Sequence, residues 1–542
     1  MGKPFLPKLN KQNLNNKSLR FFLFSILTLC YLIFTASTAN AADGDHSKSS
    51  HTRVQDNENS HQTDKHGLDQ EEHHGDQHSG AHGGFHAASM EMARELPLWT
   101  GIPFVGILLS IALLPLLAPH FWHHHFPKIS AGWALIFMIP FLFVFKGLAL
   151  YEIIHIYLID YIPFIILLWG LYTVSGGILL RGSLVGTPAV NLLLILVGTA
   201  LASWMGTTGA AMLMIRPILR ANQFRKTKMH VVIFFIFLVA NIGGSLTPLG
   251  DPPLFLGFLH GVPFFWTFKL LPHFLLASGL LFVIFYVLDT ILYRRENPII
   301  NPDREKVPIK LEGGINFLFL GGIVGLVLMS GTLKAGHMTI YEVQLNYQNV
   351  MRDIGIILMG VLSLWATSNK LRKDNEFSWF PIQEVAYLFA GIFATIIPML
   401  AMLKAGTDGA MGALVEKVSD PIHYFWITGI LSAFLDNAPT YLTFFNSSLG
   451  KMGLSESSAA EMLRGVVAGR EAVAATFVAN LKAISAGAVF FGAFSYIGNA
   501  PNFMVRSIAE ESGLKMPSFF GYILWSLVFL VPVFIIISLV FF

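Results

Sequence analysis

Two carboxylates lie in apolar stretches of this sequence, and each stands beside residues that break helices. The stretch "GGSLTPLGDPPLFLGF" carries Asp251 between a glycine and two prolines, and "SAFLDNAPTY" carries Asp436. An aspartate at membrane depth marks a functional site by default. A buried carboxylate binds either a proton or a metal cation, because each neutralises the same charge. The two stretches therefore predict a site for protons and small cations.

Neutral oxygen-bearing side chains accompany the two aspartates. Hydroxyl, amide and carboxylate oxygens are ligands for hard cations such as Na⁺, and no soft ligand is present among them. We rank Asp436 first, because it should lie near the bilayer centre, and Asp251 second. The alternative for Asp436 is a helix N-cap, for Asp251 a turn residue before proline, and for the others the capping of broken helices. The candidate ion ligands are Asp436, Asn437, Asp251, Thr247, Thr207, Thr208, Ser495 and Asn499.

The composition places these residues in a membrane protein. Hydrophobic residues make up 54% of the 542 and charged residues 13%, whereas soluble domains carry about 25% charged residues. A net charge of +3 and the lack of a basic patch argue against a nucleic-acid partner. Because no HExxH, serine-nucleophile or phosphate-cradling motif occurs, we expect neither an enzyme nor a resident cofactor.

Ten apolar runs are long enough to cross a bilayer. Two more apolar regions, 188–219 and 421–446, are interrupted midway by "SWMGTTGA" and "DNAPT". Their arms are too short to cross alone, so we interpret them as re-entrant hairpins. The predicted spans are residues 97–118, 130–147, 161–180, 229–258, 266–292, 315–334, 350–367, 381–403, 472–500 and 519–542.

Loop charges predict the orientation. With the mature N-terminus outside, three inside loops carry twelve Lys and Arg residues, whereas the outside loops 148–160, 259–265 and 336–349 carry none. The loops that flank the second hairpin do carry basic residues, so the positive-inside asymmetry is clear but incomplete. It favours a multi-pass protein of the bacterial inner membrane with a periplasmic N-terminus.

The order of elements predicts an inverted repeat. Three spans, a hairpin and two spans occur twice, and five crossings per half turn the second half upside down. The stretch "GAFSYIGNAPNFM" aligns with the first broken span at a constant offset of 248, which pairs Asp251 with Asn499. The predicted fold is an all-α polytopic membrane protein, with repeats at 97–292 and 315–542 joined by a cytoplasmic linker at 293–314.

The N-terminal region has a different character. Residues 1–41 resemble a signal peptide and contain Cys30, so the mature chain would have no thiol. Residues 42–96 are polar and histidine-rich, which predicts a disordered periplasmic segment. Its histidines could bind Zn, Cu or Ni, with a solvated tail as the alternative, and His123–His125 form a second cluster in a predicted loop. The candidate tail ligands are His73, His74, His78, His82 and His86.

The four motifs "TPLGDPP", "YIGNAPN", "SWMGTTGAAM" and "FLDNAPTY" resemble those of the ion transporter superfamily, and within it the NhaD type of bacterial sodium/proton antiporter. The resemblance runs from about residue 97 to 542. It implies a scaffold and a transport domain, elevator motion and a homodimer. Dicarboxylate carriers of the superfamily have Ser-Asn-Thr at both hairpin tips, where this chain has Met205-Gly206-Thr207 and Asp436-Asn437-Ala438. Arsenite exporters share an Asp-Asn-x-Pro motif, so that motif alone does not choose sodium.

We therefore expect a secondary transporter that exchanges cytoplasmic Na⁺, with Li⁺ as a second cargo, for external H⁺ by alternating access. Its expected partners are membrane lipid and a second copy of the chain. The first alternative is an arsenite or organic-anion transporter of the same superfamily. The second is a metal-responsive membrane protein that uses the histidine-rich tail.

Overall fold

The computed structural model describes residues 82–296, 308–466 and 469–542. The predicted signal peptide and His73, His74 and His78 lie outside these residues. Of the described residues, 85–296, 308–338, 345–466 and 469–542 form one compact unit. The helices that carry the candidate site all belong to this unit.

Helices dominate the described residues, as the sequence predicts for an all-α membrane protein. The α-helices are α1 His82–Glu95, α2 Ile102–Leu117, α3 Pro119–His155, α4 Ile162–Ser175, α5 Pro188–Met205, α6 Thr207–Ala221, α7 Met229–Leu238, α8 Pro252–Leu259, α9 Leu271–Glu296, α10 Ile315–Thr332, α11 Tyr347–Ala366, α12 Asn369–Asp374, α13 Phe380–Lys404, α14 Gly412–Lys417, α15 Pro421–Leu435, α16 Asn437–Met452, α17 Glu456–Leu463, α18 Glu471–Phe491, α19 Ala500–Glu511 and α20 Phe519–Phe541. Short 3₁₀ turns cover Leu98–Gly101, Ile242–Leu246, Phe264–Leu270, Gly406–Asp408 and Gly492–Phe494, and a π-helical turn covers Ile156–Tyr161.

Four short strands interrupt this helical pattern, and the sequence analysis did not foresee them. β1 (Leu179–Arg181) pairs antiparallel with β2 (Lys310–Glu312), with Leu180 opposite Leu311. β3 (His337–Ile340) and β4 (Val343–Asn346) form a second two-stranded sheet. The β1–β2 ladder ties the segment after α4 to the end of the predicted linker.

Ten helical segments of the described residues are long and apolar enough to cross a membrane. The number of segments equals the number of predicted spans, but the segments are not the same ones. Residues 119–175, which include two predicted spans, form one apolar helical region. Lys146, near the end of the predicted span 130–147, interrupts it with non-helical angles (φ 47°, ψ −115°). The segment that was not among the predicted spans is α5, the first arm of the first predicted hairpin. Its 18 residues correct the prediction that both arms are too short to cross a membrane. Helix α15, its counterpart, has 15 residues.

Helix α1 corrects the prediction that residues 42–96 are disordered throughout. It begins at His82, inside the segment predicted to be disordered up to residue 96. Met92, Ala93 and Leu96 are buried. This end of the polar segment orders because its last residues do supply apolar side chains to bury.

Two sets of helices surround the candidate site. One set, which we call the core set, contains the hairpins α5–α6 and α15–α16, the interrupted helices α7–α8 and α18–α19, and α17, which packs against α18. Within it α6 packs against α19 and α16 against α8. The other, the frame set, contains α2, α3, α4, α10, α11 and α13, among which α3 packs against α13 and α11 against α4 and α10.

Candidate functional site

Each hairpin turns at a single residue. Helix α5 ends at Met205 and α6 begins at Thr207, so Gly206 alone makes the turn, with φ 79° and ψ 149°. Asp436 makes the same turn between α15 and α16, with φ 74° and ψ 139°. This backbone region is nearly restricted to glycine, and a side chain there costs about 1–3 kcal/mol. Asp436 is therefore held in a strained conformation that Gly206 adopts freely.

The interrupted helices have matching geometry. Helix α7 ends at Leu238 and α8 begins at Pro252, while α18 ends at Phe491 and α19 begins at Ala500. Inside the two breaks, Thr247 (φ −139°, ψ 158°) and Ser495 (φ −134°, ψ 169°) are both extended. The breaks free backbone groups that must find partners elsewhere.

Thr247 and Ser495 supply part of that pairing by joining each break to a hairpin. The Thr247 hydroxyl donates to the carbonyl of Ser203, and the Ser495 hydroxyl donates to the carbonyl of Ala433 at 2.5 Å. Each carbonyl stands three residues before its hairpin tip. Each hydroxyl also accepts a backbone N–H, from Leu249 at 3.2 Å in one case and from Ile497 at 3.2 Å in the other. The hydroxyls of the two predicted ligands thus form hydrogen bonds that connect each break to its hairpin.

Asp251 is where all four interruptions meet. Its Oδ1 accepts from Thr207 Oγ1 at 3.1 Å, on the first hairpin tip, and from Asn499 Nδ2 at 2.9 Å, on the second break. Its Oδ2 accepts from Asn437 Nδ2 at 2.6 Å, on the second hairpin tip. The residue is 1% exposed. Although Asp251 stands at the N-cap position of α8, its carboxylate makes no capping bond. The turn-residue interpretation therefore does not account for its side chain.

Asp436 occupies a different environment. It is half-buried, and its Oδ1 accepts from the backbone N–H of Ala438 at 3.2 Å. This is the helix N-cap arrangement that the sequence leaves open as the alternative. The converging side chains therefore bond to Asp251, the aspartate ranked second from the sequence, and not to Asp436. Thr208 is half-buried beside Thr207, outside the group that bonds to Asp251.

One oxygen at this site has no partner among the described residues. The Oδ1 atom of Asn437 is buried without a hydrogen bond, next to the amide nitrogen that binds Asp251. A buried unpaired amide oxygen is costly, and a hard cation would satisfy it. The Asn437 oxygen and the Asp251 carboxylate are the parts of this site best suited to hold a cation.

Two buried asparagines support the site, and the sequence analysis missed both. Asn241 donates to Asn502 Oδ1 at 2.7 Å, and its own Oδ1 accepts from Asn499 at 3.2 Å. Asn502 donates in turn to the carbonyls of Gly492 and Ser495, at 2.7 and 2.8 Å. These bonds orient the Asn499 amide toward Asp251. Asn502 belongs to the motif "GNAPN", so the sequence could have marked it as a site residue. Asn241 lies just before the stretch "GGSLTPLGDPPLFLGF" and is not part of a recognised motif.

The first break also depends on two glycines in close contact. A Cβ atom on Gly250 would collide with the carbonyl of Gly244, which is backbone and cannot move aside. We expect Gly250→Ala to displace Asp251 and to lower both the folded yield and the transport activity. Gly279→Ala on α9 is the matched control, because nothing lies within 4 Å of the added atom. Size-exclusion profiles in detergent compare the two variants, and a native profile with full activity for Gly250→Ala would contradict the packing.

A second buried polar cluster lies away from this site. Asp289 on α9 bonds Arg225 Nη1 at 2.6 Å, His230 Nε2 at 2.8 Å and Asn191 Nδ2 at 2.9 Å. Asn191 and Asn222 exchange amide hydrogen bonds at 2.7 and 3.0 Å. Arg225 and Asp289 side chains are 0% exposed. The cluster ties together the ends of α5, α6, α7 and α9.

The histidines form no metal centre in the part of the chain that the structure describes. Those residues contain no group of three or more His, Cys, Asp or Glu side chains that could hold a metal ion. His123–His125 lie on helix α3 and not in a loop, and the Nδ1 atoms of His124 and His125 contact backbone carbonyls one turn earlier at 2.9 and 3.0 Å. Of the predicted tail ligands, only the backbone of His82 and His86 is described, on α1.

Comparison with known proteins gives one match. A family model with the description "Putative citrate transport" matches residues 93–542. This range contains both hairpins, both interrupted helices and all eight candidate ion ligands. No curated protein matches the chain.

Proposed function

The chain belongs to the family described as "Putative citrate transport", within the ion transporter superfamily, and from this membership and the site we propose that it exchanges cytoplasmic Na⁺ for external H⁺ by alternating access. Such an exchanger needs one group that binds either ion but not both. A buried carboxylate has that property, because a proton and a cation neutralise the same charge. The NhaD type of antiporter is the member of the superfamily that this proposal favours.

The observation that carries the proposal is the position of Asp251. Its carboxylate accepts from both hairpin tips and from the second break, and no Lys or Arg bonds to it among the described residues. An uncompensated buried charge is unfavourable, so an incoming Na⁺ or H⁺ is the natural neutralising ligand. Asn437 Oδ1 adds a neutral oxygen, and Asp436 adds a second carboxylate on the neighbouring residue. Thr207, Asn499 and freed carbonyls complete the proposed hard-cation site.

The matching breaks support an inverted repeat. Gly206 and Asp436 share one backbone conformation at the two hairpin tips. The hydroxyls of Thr247 and Ser495 make equivalent bonds to the carbonyls that stand three residues before those tips. Asp251 (φ −143°, ψ 143°) and Asn499 (φ −154°, ψ 138°) also correspond. Two copies of opposite orientation give a site equal access to either side. We propose that the core set is the moving domain of an elevator and that the frame set is its scaffold.

Citrate is the second candidate, because the family description names it. The site is poorly suited to a tricarboxylate. Thr207, Asn437 and Asn499 direct their donors at Asp251, and Asp251 and Asp436 would repel the substrate. Of the two hydroxyls that dicarboxylate carriers of the superfamily show at each tip, this chain keeps only that of Thr207 at the first tip and none at the second. A citrate site would need Asp251 protonated so that these amides are released.

Everted membrane vesicles distinguish the two candidates. With an imposed pH gradient, addition of Na⁺ or Li⁺ should dissipate the gradient, whereas K⁺ should have a smaller effect. Citrate should neither replace Na⁺ nor be required for its effect. A response that follows citrate and is independent of Na⁺ would contradict the proposal and support the second candidate.

Substitutions of Asp436 test whether its charge contributes to Na⁺ binding or whether the residue only caps helix α16. Glycine fits the φ of 74° and costs only a few tenths of a kcal/mol as an N-cap. We expect Asp436→Gly to fold normally and yet to need about ten times more Na⁺, as the loss of roughly 1.4 kcal/mol of attraction implies. Asp436→Asn should show the same Na⁺ requirement with the cap retained. If both variants respond to Na⁺ like the native protein, Asp436 is only a cap.

The membrane location, orientation and oligomeric state of the exchanger are also proposals. The loop charges favour a bacterial inner membrane with a periplasmic N-terminus, and the resemblance favours a homodimer in contact with lipid. The histidine-rich segment is proposed to buffer metal ions or protons outside the membrane, without a role in the transport step.

A further inference from the structure

His260 lies at the opposite end of the helix that presents Asp251. Helix α8 has eight residues, with Asp251 at its N-cap and His260 at its C-cap. It is therefore about 12 Å long. His260 is 7% exposed, and both ring nitrogens contact carboxylates. A displacement of α8 must move both residues, because a short regular helix moves as one body.

The partners of His260 come from both helix sets. Its Nε2 contacts Asp160 Oδ1 at 2.8 Å, on the π-helical turn between the frame helices α3 and α4. Its Nδ1 contacts Glu456 Oε2 at 2.8 Å, on the core helix α17. Lys404, at the end of the frame helix α13, donates to the other oxygen of Glu456 at 2.8 Å. Two ion pairs, Asp160–His260 and Lys404–Glu456, thus cross the boundary between the sets.

The charges around this cluster are not balanced. Three carboxylates, Asp160, Glu456 and the nearby Glu152 of α3, face the cations His260 and Lys404, and His155 of α3 lies within electrostatic reach. Asp160 is 1% exposed, and its Oδ2 has no hydrogen-bond partner in the described part of the chain. Removal of the His260 charge would leave Asp160 buried without compensation, which is strongly unfavourable.

We propose that Asp160, His260, Glu456 and Lys404 form an ionic latch between the core and frame sets, which holds the arrangement seen here and opens once in each transport cycle. The latch rests on the proposed alternating access, but it makes no assumption about which ion is carried. Opening separates His260 from Asp160 and Glu456 from Lys404, and water must then solvate the released charges. The π-helical turn is consistent with this role, because such turns occur often at functional sites.

The titration of His260 supports a latch that is closed at neutral pH. Burial alone lowers the pKa of His260, but Glu456 and Asp160 more than reverse this and raise the pKa to about 10. Burial alone would raise the pKa of Glu456, and the positive charges of His260 and Lys404 hold it well below its usual value. A raised histidine pKa stabilises the closed form at low and neutral pH, and the contribution is lost as the pH rises through about 10.

A second ion pair between the sets serves as a comparison. Arg216 on the core helix α6 contacts Glu376, in the frame segment after α12, at 3.0 Å. The Arg216 and Glu376 side chains are 11% and 64% exposed, whereas those of His260 and Asp160 are 5% and 1% exposed. Because solvent screens an exposed charge, we expect the Arg216–Glu376 pair to contribute less than the buried Asp160–His260 pair.

Distance measurements by pulsed electron paramagnetic resonance test the latch directly. In a Cys30→Ser background, spin labels at Leu358→Cys on α11 and Ile430→Cys on α15 report on the frame and the core, since both native side chains are more than half exposed. At neutral pH the latched protein should give one main distance. Asp160→Asn should add a second population, and the matched control Glu376→Gln should not. An unchanged distance distribution in Asp160→Asn would overturn the latch.

Cross-linking separates failure of the latch from failure of the proposed function. Asp160→Cys with His260→Cys, joined by a cleavable bifunctional thiol reagent, should block transport, and cleavage should restore it. His260→Cys with Glu456→Cys links residues of the core set only, so linking should leave transport at the level that the same variant shows before it is linked. Full Na⁺/H⁺ exchange in the Asp160–His260 linked protein would overturn the latch alone. If the native protein shows no Na⁺/H⁺ exchange, the proposed function fails, and the spin-label distances decide the latch.

Discussion

Replacement of Asp251 by asparagine is expected to abolish Na⁺-driven dissipation of a pH gradient in everted vesicles. The substitution removes the negative charge that accepts hydrogen bonds from Thr207, Asn437 and Asn499. The loss of one interaction with a charged group costs about 1.5–3 kcal/mol, so we expect Na⁺ binding to weaken by about 10- to 100-fold. The proton site is lost with the cation site, because an amide does not titrate.

The asparagine variant should still fold. One new donor would face the Asn437 amide, but rotation of the Asn437 side chain would present its free Oδ1 instead. Asp408→Asn is the matched control, because the Asp408 side chain is 66% exposed and only contacts Arg94 at 3.6 Å. Exchange that survives in Asp251→Asn, at the level of this control, would remove Asp251 from the mechanism.

Replacement of Asp289 by asparagine is expected to give the largest loss of stability. It leaves Arg225 buried, with only Glu296 at 4.0 Å as a carboxylate partner. The loss of one partner from a buried ion pair costs about 3–5 kcal/mol. Thermal unfolding of the purified protein in detergent should therefore occur at a much lower temperature in Asp289→Asn than in the native protein.

The ion pair of Asp374 with Arg181 provides the control for this prediction. The two side chains are 32% and 40% exposed, and pairs near the surface contribute about 0–1 kcal/mol. Asp374→Asn should unfold close to the native temperature. Equal losses in the two variants would mean that burial of the Arg225–Asp289 pair does not matter for stability.

The sequence predicts the four interruptions well, because prolines and glycines mark them locally. The sequence did not indicate which of the two aspartates contacts the other interruptions. Asp436 stands at a hairpin tip and attracts attention, but its oxygen contacts the adjacent helix start. Asp251 bonds side chains 44, 186 and 248 positions away. Contacts of that length follow from how the two halves pack, and a local pattern contains no information about them.

The buried charge clusters illustrate the same limit. In the sequence, Arg225 is one more basic residue of an inside loop, and Asp289 is an isolated charge near the end of an apolar run. The structure joins them at 2.6 Å with His230 and Asn191. His260 and Asp160 are likewise 100 positions apart. The stretch "SWMGTTGA" predicts a first arm that ends near Ser203, whereas α5 continues through the first residues of this stretch to Met205.

Competition between Na⁺ and H⁺ at Asp251 is the central claim, and proton release on Na⁺ binding measures it most directly. Purified protein in weakly buffered detergent solution is titrated with NaCl while the pH is recorded, with choline chloride and sodium-free citrate as controls. We expect the native protein to release about one proton per bound Na⁺, since a single carboxylate exchanges its ligands, and Asp251→Asn to release none. Sodium binding without proton release, or a pH change that follows citrate instead of Na⁺, would show that the two ions do not compete at Asp251.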